Sequence, residues 1–233
     1  IALVSAQAGI EVVLIDRDQE AADKGKAYSA TYMDKGIARK KATPEKKEAL
    51  LSLITATPDV EMLKGCDLII EAVFEDPAVK AEITKRVEVV IPKDCIFASN
   101  TTTLPISELA KASSRPEQFI GIHFFSPVEK MLLVEIIKGD QTDDVAVAKS
   151  LDYVRQIRKT PIVVNDARFF YANRCIIPYG NEAARMVTEG VAPQLIDNAA
   201  QQLGFPVGPI QLGDETSIDL GVRIMKATKA AMG

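Results

Sequence analysis

Six short apolar runs constrain the fold of this chain more than any other feature. They are rich in β-branched residues and do not alternate with polar residues, as in EVVLID (11–16) and FIGIHFF (119–125). Such runs are typical of strands that are buried on both faces of a sheet. The other four runs are CDLIIEAVFE (66–75), CIFASN (95–100), LLVEII (132–137) and PIVVND (161–166).

Stretches with the apolar spacing of helices separate several of these runs. They cover residues 18–37, 77–91 and 107–114, and Ser107 is placed as the N-cap of the third. The alternation of strand and helix predicts an α/β fold with a parallel, doubly wound sheet of the Rossmann type.

Only helical patterns follow Asp166. We predict helices over 174–190 and 192–204, with Gly190 and Gly204 at their C-terminal ends, and a third helix over 217–233. The chain is therefore expected to form two domains, an α/β domain over residues 1–165 and a smaller all-α domain over residues 166–233.

The composition argues against several classes of protein. The net charge of −4, from 28 basic and 32 acidic residues, gives no reason to expect a nucleic-acid partner. No apolar run reaches the roughly 20 residues that span a bilayer. The three cysteines form no CxxC pair and no zinc spacing, so we expect buried, reduced thiols, no metal site and a reducing compartment.

Asp16 closes the run VVLID, where a dinucleotide-binding fold places the acid that binds ribose hydroxyls. Helix capping would explain a lone aspartate at least as well. The chain contains no GxGxxG turn, and IALVSAQAG (1–9) has the pattern of the rest of the helix that such a turn opens. We therefore expect residues upstream of Ile1 that supply the turn and the first strand. Without that central strand the sheet would have a gap.

His123 is the only histidine, and Glu135 lies in the next apolar run, twelve residues further on. A lone histidine in an apolar segment is more often a core residue than a catalytic one. A carboxylate partner changes this interpretation, because it holds the imidazole in one tautomer and raises its basicity. A neutral histidine can then take the proton of a hydroxyl substrate while a nicotinamide takes the hydride.

Several segments resemble motifs of the NAD-dependent L-3-hydroxyacyl-CoA dehydrogenases. They are SNTTTLPISELA, GIHFFSPVEKMLLVEII, ANR and GFPVGPIQLGDETSIDLG, and the resemblance covers essentially the whole chain. Within the family, the chain is most similar to the dehydrogenase segment of the bacterial multifunctional fatty-oxidation α subunit.

The resemblance implies a reaction, a cofactor and a setting. The reaction is oxidation of L-3-hydroxyacyl-CoA to 3-ketoacyl-CoA in fatty-acid β-oxidation, with NAD as the cofactor. A homodimer or a multifunctional β-oxidation complex would be the assembly. The cytoplasm would be the location, or the mitochondrial matrix in a eukaryote. Family members carry more helix beyond position 233, so the resemblance also implies that the helical domain is incomplete.

The resemblance assigns catalytic roles to four residues. His123 would be the general base for the 3-hydroxyl group, and Glu135 would orient it. Asn173 would hydrogen-bond to the substrate or help to set the closed form. Thr102 falls where the family has a hydroxyl near the substrate oxygen.

Ligand-binding roles follow from the same resemblance. Asp16 would bind the ribose, and Arg39 and Lys40 in the run ARKK would meet the phosphates of coenzyme A, although a solvated charged surface explains that run about as well. The positions that match contacts to the nicotinamide half of NAD are Glu75, Lys80 and Asn100, while Ser126 lies where many members have Asn.

Phe169, in DARFFYANR, stands where the family usually has Gly. A glycine there can take a positive φ at the interdomain hinge, which a bulky Phe resists. Either the hinge takes a different course here, or the residue at position 169 calls for verification.

Three alternatives remain open. A free-standing 3-hydroxybutyryl-CoA dehydrogenase would carry the same residues. A non-catalytic structural or scaffold relative would have no need of His123, Glu135 and Asn173. A 6-phosphogluconate-type dehydrogenase also joins a Rossmann domain to helices, but its expected catalytic lysine has no obvious counterpart here and HFFSP does not fit it.

Overall fold

The computed structural model describes residues 1–216 and Val222. The chain divides into two compact units, residues 1–171 and 172–233. The helix predicted over 217–233 lies outside the described residues, apart from Val222.

Two sheets carry the strands of the first unit. In the smaller sheet, β1 (Val12–Ile15) pairs in parallel with β2 (Ile54–Thr57). The larger sheet has the order β3-β4-β5-β6-β7. Its strands are β3 (Leu68–Glu71), β4 (Ile96–Ser99), β5 (Phe119–Phe124), β6 (Leu133–Lys138) and β7 (Thr160–Asn165).

The predicted α/β architecture is confirmed, with one exception in strand direction. All pairs in the two sheets are parallel except β5 and β6, which are antiparallel. The predicted parallel arrangement therefore does not extend to this pair. Residues 125–132 join the two strands, and a parallel crossover needs about a dozen residues or more, so the chain must reverse here.

The predicted interruption of the sheet is observed. Among the described residues, β1 pairs only with β2, and β3 pairs only with β4 in the larger sheet. Helix α1 (Ala2–Gln7) precedes β1, as expected for the segment 1–9. Strand β2 was not predicted, because its sequence ITAT is half polar and only Ile54 is buried.

Five more helices belong to the first unit. Aspartate side chains cap three of them, since Asp18, Asp76 and Asp143 accept hydrogen bonds from N–H groups in the first turns of α2, α4 and α6. The helices are α2 (Gln19–Ala38), α3 (Pro44–Ser52), α4 (Pro77–Glu88), α5 (Ile106–Ala110) and α6 (Asp144–Gln156).

The start of α5 differs from the prediction. Pro105 occupies the N-cap position, and the Ser107 hydroxyl instead accepts a hydrogen bond from the Asp140 N–H at 2.9 Å. The first turn is capped by Asp166, whose carboxylate accepts from the N–H groups of Ile106 (2.9 Å) and Ser107 (2.7 Å). Asp166 follows β7, so a residue distant in sequence supplies the cap.

Strand β5 lies in the centre of the core. All six of its residues are buried, and its Ile120 and Ile122 are fully inaccessible to solvent. Gly121 allows the close approach of α5, because a Cβ there would lie 2.8 Å from Ile106 Cδ1 and 2.9 Å from Ile137 Cβ. The core thus fixes β5, the strand that carries His123.

The second unit contains three described helices, α7 (Ala172–Thr188), α8 (Pro193–Gln202) and α9 (Pro209–Thr216). Gly190 and Gly204 have φ of +92° and +100°, which confirms them as the residues that end α7 and α8. The Asp197 side chain accepts from the N–H groups of Ile210 and Gln211 and so caps α9.

All three cysteines are free thiols. Cys95 is buried, and this burial raises the pKa of its thiol to about 12. The prediction that all three are buried is confirmed for Cys95 alone, since Cys66 is half-buried and Cys175 lies exposed on α7. No helix within the described part of the chain has the length and apolar character needed to cross a membrane.

Candidate active site

The carboxyl ends of β3, β4 and β5 lie at one edge of the larger sheet because these strands are parallel. The antiparallel strand β6 begins at the same edge. Ligands of open α/β sheets bind at this edge. The residues that follow these strands are therefore the ones to consider first.

His123 and Glu135 face each other across the β5–β6 pair. They are register partners, and His123 Nδ1 lies 2.7 Å from Glu135 Oε2. Both side chains are buried, with 3% and 0% of their surface exposed. An ionised carboxylate at this distance holds the proton on Nδ1, which leaves Nε2 as a proton acceptor.

Further contacts fix the orientation of this pair. The Tyr171 N–H donates to Glu135 Oε1 at 3.0 Å, so both carboxylate oxygens have partners. The rings of Phe125 and Phe170 lie 4.6 Å and 5.9 Å from the imidazole, measured between ring centroids. The imidazole therefore has an aromatic environment and a fixed plane.

Asn100 links the ends of β3, β4 and β5. Its Oδ1 accepts from the Phe124 N–H at 2.9 Å, and its own N–H donates to the Glu71 carbonyl oxygen at 2.8 Å. The Asn100 side chain is thus bound to Phe124, the residue that follows His123.

Glu75 organises the segment that follows Asn100. Its Oε1 accepts from the Thr101 hydroxyl at 2.6 Å and from the N–H groups of Thr102 and Thr103 at 2.9 Å and 3.0 Å. Burial raises the pKa of the Glu75 carboxyl, but the Thr101 hydrogen bond, the Lys80 charge and these two N–H groups lower it by more. The net result is a lowered pKa and an ionised Glu75.

Lys80 lies in a buried ion-pair network with 2% of its surface exposed. Its Nζ is 2.8 Å from Glu71 Oε1 and 3.4 Å from Glu75 Oε2. The other Glu71 oxygen, Oε2, accepts from the Ser99 hydroxyl at 2.7 Å. Sequence reasoning missed Glu71 and Ser99. The one sequence feature that could have identified them is that a polar residue ends each of the apolar runs LIIE and IFAS.

Asp16 and Ser126 both lie exposed just after strands, β1 and β5 respectively. The Asp16 Oδ1 accepts from the Arg17 N–H at 2.7 Å. An exposed carboxylate at the end of β1 fits the ribose hydroxyls of a dinucleotide. Thr102 is also exposed, and Asn173 lies half-buried in the first turn of α7 in the second unit.

Arg39 lines a cavity of about 950 Å³ in the first unit, together with parts of α1, α2 and α3. Lys40 is not among the lining residues, and its backbone has φ of +57°. Sequence reasoning missed most of the basic residues of this cavity, which are Lys35, Lys41, Lys46 and Lys130. We call it the basic cavity.

Phe169 has φ of +69°, and Phe170 follows with φ of +50°. Position 169 therefore adopts the positive φ that a glycine would favour, although the bulky Phe resists it. Left-handed backbone costs an ordinary residue roughly 1–2 kcal/mol. Phe170 is 1% exposed and packs in the core beside His123, which offsets this strain.

Comparison with known proteins agrees with this geometry. Residues 1–167 match the family model described as 3-hydroxyacyl-CoA dehydrogenase, NAD binding domain, and residues 170–233 match the C-terminal domain model of that enzyme. Among curated relatives, the fatty acid oxidation complex subunit alpha of Shewanella sp. (strain W3-18-1) is 42% identical over 99% of this chain. The chain spans 33% of that relative's length.

Solved structures superpose on the chain. The (S)-3-hydroxybutyryl-CoA dehydrogenase PaaH1 from Ralstonia eutropha has a TM-score of 0.91 and 35% identity, covering 97% of this chain and 80% of its own. FadB2 of M. tuberculosis has a TM-score of 0.88 and 33% identity, covering 94% of this chain and 78% of its own. The chain belongs to the 3-hydroxyacyl-CoA dehydrogenase family, and residues 1–167 are an NAD-binding domain of that family.

Proposed function

We propose that this protein oxidises L-3-hydroxyacyl-CoA to 3-ketoacyl-CoA with NAD⁺, as a step of fatty-acid β-oxidation. The observation that carries the proposal is the buried pair of His123 and Glu135, joined at 2.7 Å at the carboxyl edge of a dinucleotide-binding sheet. A structural or scaffold relative would have no use for a buried ionisable pair in this position.

His123 acts as the general base. Its Nε2 accepts the proton of the substrate 3-hydroxyl group as the C3–H bond breaks and the C–O bond becomes a carbonyl. When bound, NAD⁺ supplies the acceptor for the hydride that leaves C3. Glu135 stabilises the imidazolium through Nδ1–H, and the rings of Phe125 and Phe170 shield it from water.

We assign the cofactor to the carboxyl ends of the strands, starting with Asp16 after β1. The exposed Asp16 carboxylate accepts from the ribose hydroxyls, and Asn100 and Ser126 meet the nicotinamide half. Glu75 also lies at the nicotinamide half, and its carboxylate is 3.4 Å from the buried Lys80 Nζ. Thr102 and Asn173 act on the substrate, the first near its 3-oxygen.

Coenzyme A is assigned to the basic cavity. Its lining includes Arg39 and four lysines, while Lys40 lies beside it in sequence. Basic side chains of this kind bind phosphates, and the rings of Tyr28 and Tyr32 in the same lining can stack on the adenine.

The assembly is proposed from the relatives. Those from Shewanella are subunits of a fatty acid oxidation complex, so we place this protein in a complex of that kind, with a homodimer as the alternative. A cytoplasmic location, or the mitochondrial matrix in a eukaryote, suits this role.

The test is stereochemical. The purified full-length protein is supplied with NAD⁺ and either L- or D-3-hydroxybutyryl-CoA, and NADH formation is followed at 340 nm. We expect turnover of the L isomer alone. Equal turnover of both isomers, or of neither with acyl chains of several lengths, would refute the proposal.

A further inference from the structure

We propose that Glu71 is a positioning residue for the cofactor site. It acts through Lys80 and Glu75 to hold the loop of residues 100–103 in the conformation that binds the nicotinamide half of NAD. This inference rests on the proposed function.

The first step is the position of Glu71. It ends β3 beside Ser99, its register partner at the end of β4, and only 4% of its surface is exposed. Its Oε1 accepts from Lys80 Nζ at 2.8 Å and from the Val73 N–H at 2.7 Å. The Ser99 hydroxyl fills Oε2 at 2.7 Å. Glu71 is thus held from two strands and from α4.

The second step is that two carboxylates, Glu71 and Glu75, share the Lys80 ammonium group. A buried ammonium group needs a carboxylate close by. Glu71 supplies that carboxylate at 2.8 Å, and Glu75 lies further away at 3.4 Å. Because Glu71 takes the close contact, the Glu75 side chain remains 36% exposed at the rim of the site.

The third step connects Glu75 to the loop. One Glu75 oxygen accepts four hydrogen bonds, two from the hydroxyls of Thr101 and Thr103 and two from the N–H groups of Thr102 and Thr103. If the charge of Glu71 were removed, Lys80 would draw Glu75 inward to replace it. These donors would then lose their common acceptor, and the loop that begins at Asn100 would change shape.

Glu71 does not touch the ligand in this arrangement. Glu71, Lys80 and Glu75 form a chain of charges, in which the buried Glu71 determines the position of the partly exposed Glu75. Lys80 is likewise too buried to be a surface contact, so its effect on the cofactor also passes through Glu75.

The experiment measures the Kd for NADH by its fluorescence on the full-length natural protein. Glu71→Gln should raise this Kd about tenfold, equivalent to about 1.4 kcal/mol. Glu71→Asp keeps the negative charge and should stay within about threefold of the wild type, less than the cost of one charged hydrogen bond.

A matched control is Thr142→Val, which removes the buried hydrogen bonds of the Thr142 hydroxyl to the Phe119 carbonyl oxygen (2.6 Å) and from the Gly139 N–H (3.0 Å). Phe119 begins β5, whereas His123 lies near the other end of that strand. The control should lose thermal stability without a change in the Kd for NADH. If Glu71→Gln does not fold, Ser99→Ala removes one hydrogen bond to Glu71 and should raise the Kd about threefold.

The outcomes separate the two proposals. An unchanged Kd in Glu71→Gln, or in Ser99→Ala if that variant is needed, would overturn the role of Glu71, as would equal losses in the Gln and Asp variants. A wild type that binds NADH but does not turn over L-3-hydroxyacyl-CoA would refute the reaction alone, because the Kd ratios would still decide the role of Glu71. A wild type that does not bind NADH would overturn both.

Discussion

His123 and Glu135 are direct cross-strand partners in the only antiparallel pair among the described strands, and their side chains meet at 2.7 Å. Because side chains alternate between the faces of a strand, a shift of one residue in this register would place the two on opposite faces. The reversal of the chain between β5 and β6 is therefore what brings together the pair that we propose to be catalytic.

Glu135→Gln should separate the charge of this residue from its shape. The amide can still occupy the same volume, but it cannot stabilise an imidazolium. We expect kcat to fall by roughly 10²-fold or more, with little change in the Kd for NADH. Steady-state kinetics at 340 nm and NADH fluorescence measure the two quantities. A variant with wild-type kcat would show that Glu135 does not assist His123.

The basic cavity should bind the nucleotide part of coenzyme A. Arg39→Ala should raise the KM for acetoacetyl-CoA about fivefold, equivalent to about 1 kcal/mol. The KM for acetoacetyl-pantetheine, which lacks the nucleotide, should not change. The matched control is Lys24→Ala, an exposed lysine of α2, the helix that ends just before Arg39, and this lysine does not line the cavity. Equal effects on both substrates would place the nucleotide elsewhere.

Glu75 should make stability depend on pH. The pKa of its carboxyl is lowered in the folded state, because hydrogen bonds and the Lys80 charge outweigh the effect of burial. Its contribution is present above the unfolded pKa of about 4.3 and is lost as the pH falls through the lower folded value. The wild type should therefore exceed Glu75→Gln in stability at pH 7, and this difference should shrink below about pH 4.

Urea unfolding at several pH values tests this expectation for Glu75. Thr101→Ala removes one donor to the carboxylate and should reduce the same pH-dependent difference. A difference that stays constant from pH 7 to pH 3 would contradict the account.

At position 169, glycine should give a more stable protein than alanine, which is the reverse of the usual order. At an ordinary position Ala is more stabilising than Gly by roughly 0.5–1 kcal/mol. At φ of +69° we expect Phe169→Gly to be more stable than Phe169→Ala by about 1 kcal/mol. Both variants lose the same phenyl ring, so the comparison isolates the backbone. Thermal unfolding measures it, and an Ala variant more stable than the Gly variant would refute the strain.

Gly121→Ala should destabilise the first unit by about 1–3 kcal/mol, because the added methyl group would clash with Ile106 and Ile137. Gly180→Ala is the contrasting variant, since a Cβ in that position of α7 meets nothing within 4 Å. There the change should be neutral or stabilising by up to about 1 kcal/mol. Thermal unfolding of the two variants should therefore give shifts of different size, and equal shifts would be inconsistent with the packing around β5.

Much of the fold follows from local patterns, and the exceptions have physical causes. The buried strands were predictable because they are continuous apolar runs, whereas ITAT of β2 is half polar. The cap of α5 was not predictable from Ser107, since Asp166 supplies it from sixty residues away in sequence. The direction of β6 depends on the short connection before it.

The residues of the candidate site were likewise predictable from the sequence only in part. His123 and Glu135 attract attention as ionisable residues in apolar runs, and their pairing follows from one register. Glu71 and Ser99 do not stand out, because their partners are Lys80 on α4 and the end of a neighbouring strand. Networks that join three elements have no signature at a fixed spacing.

The role of His123 as the general base is tested most directly by comparing kcat with NADH binding in His123→Ala. Acetoacetyl-CoA reduction is followed at 340 nm, and the Kd for NADH is measured by fluorescence on the same preparation. We predict the loss of most of kcat, about 10²-fold or more, with a nearly unchanged Kd. A parallel loss of NADH affinity, or a kcat close to that of the wild type, would show that His123 is a structural residue rather than the base.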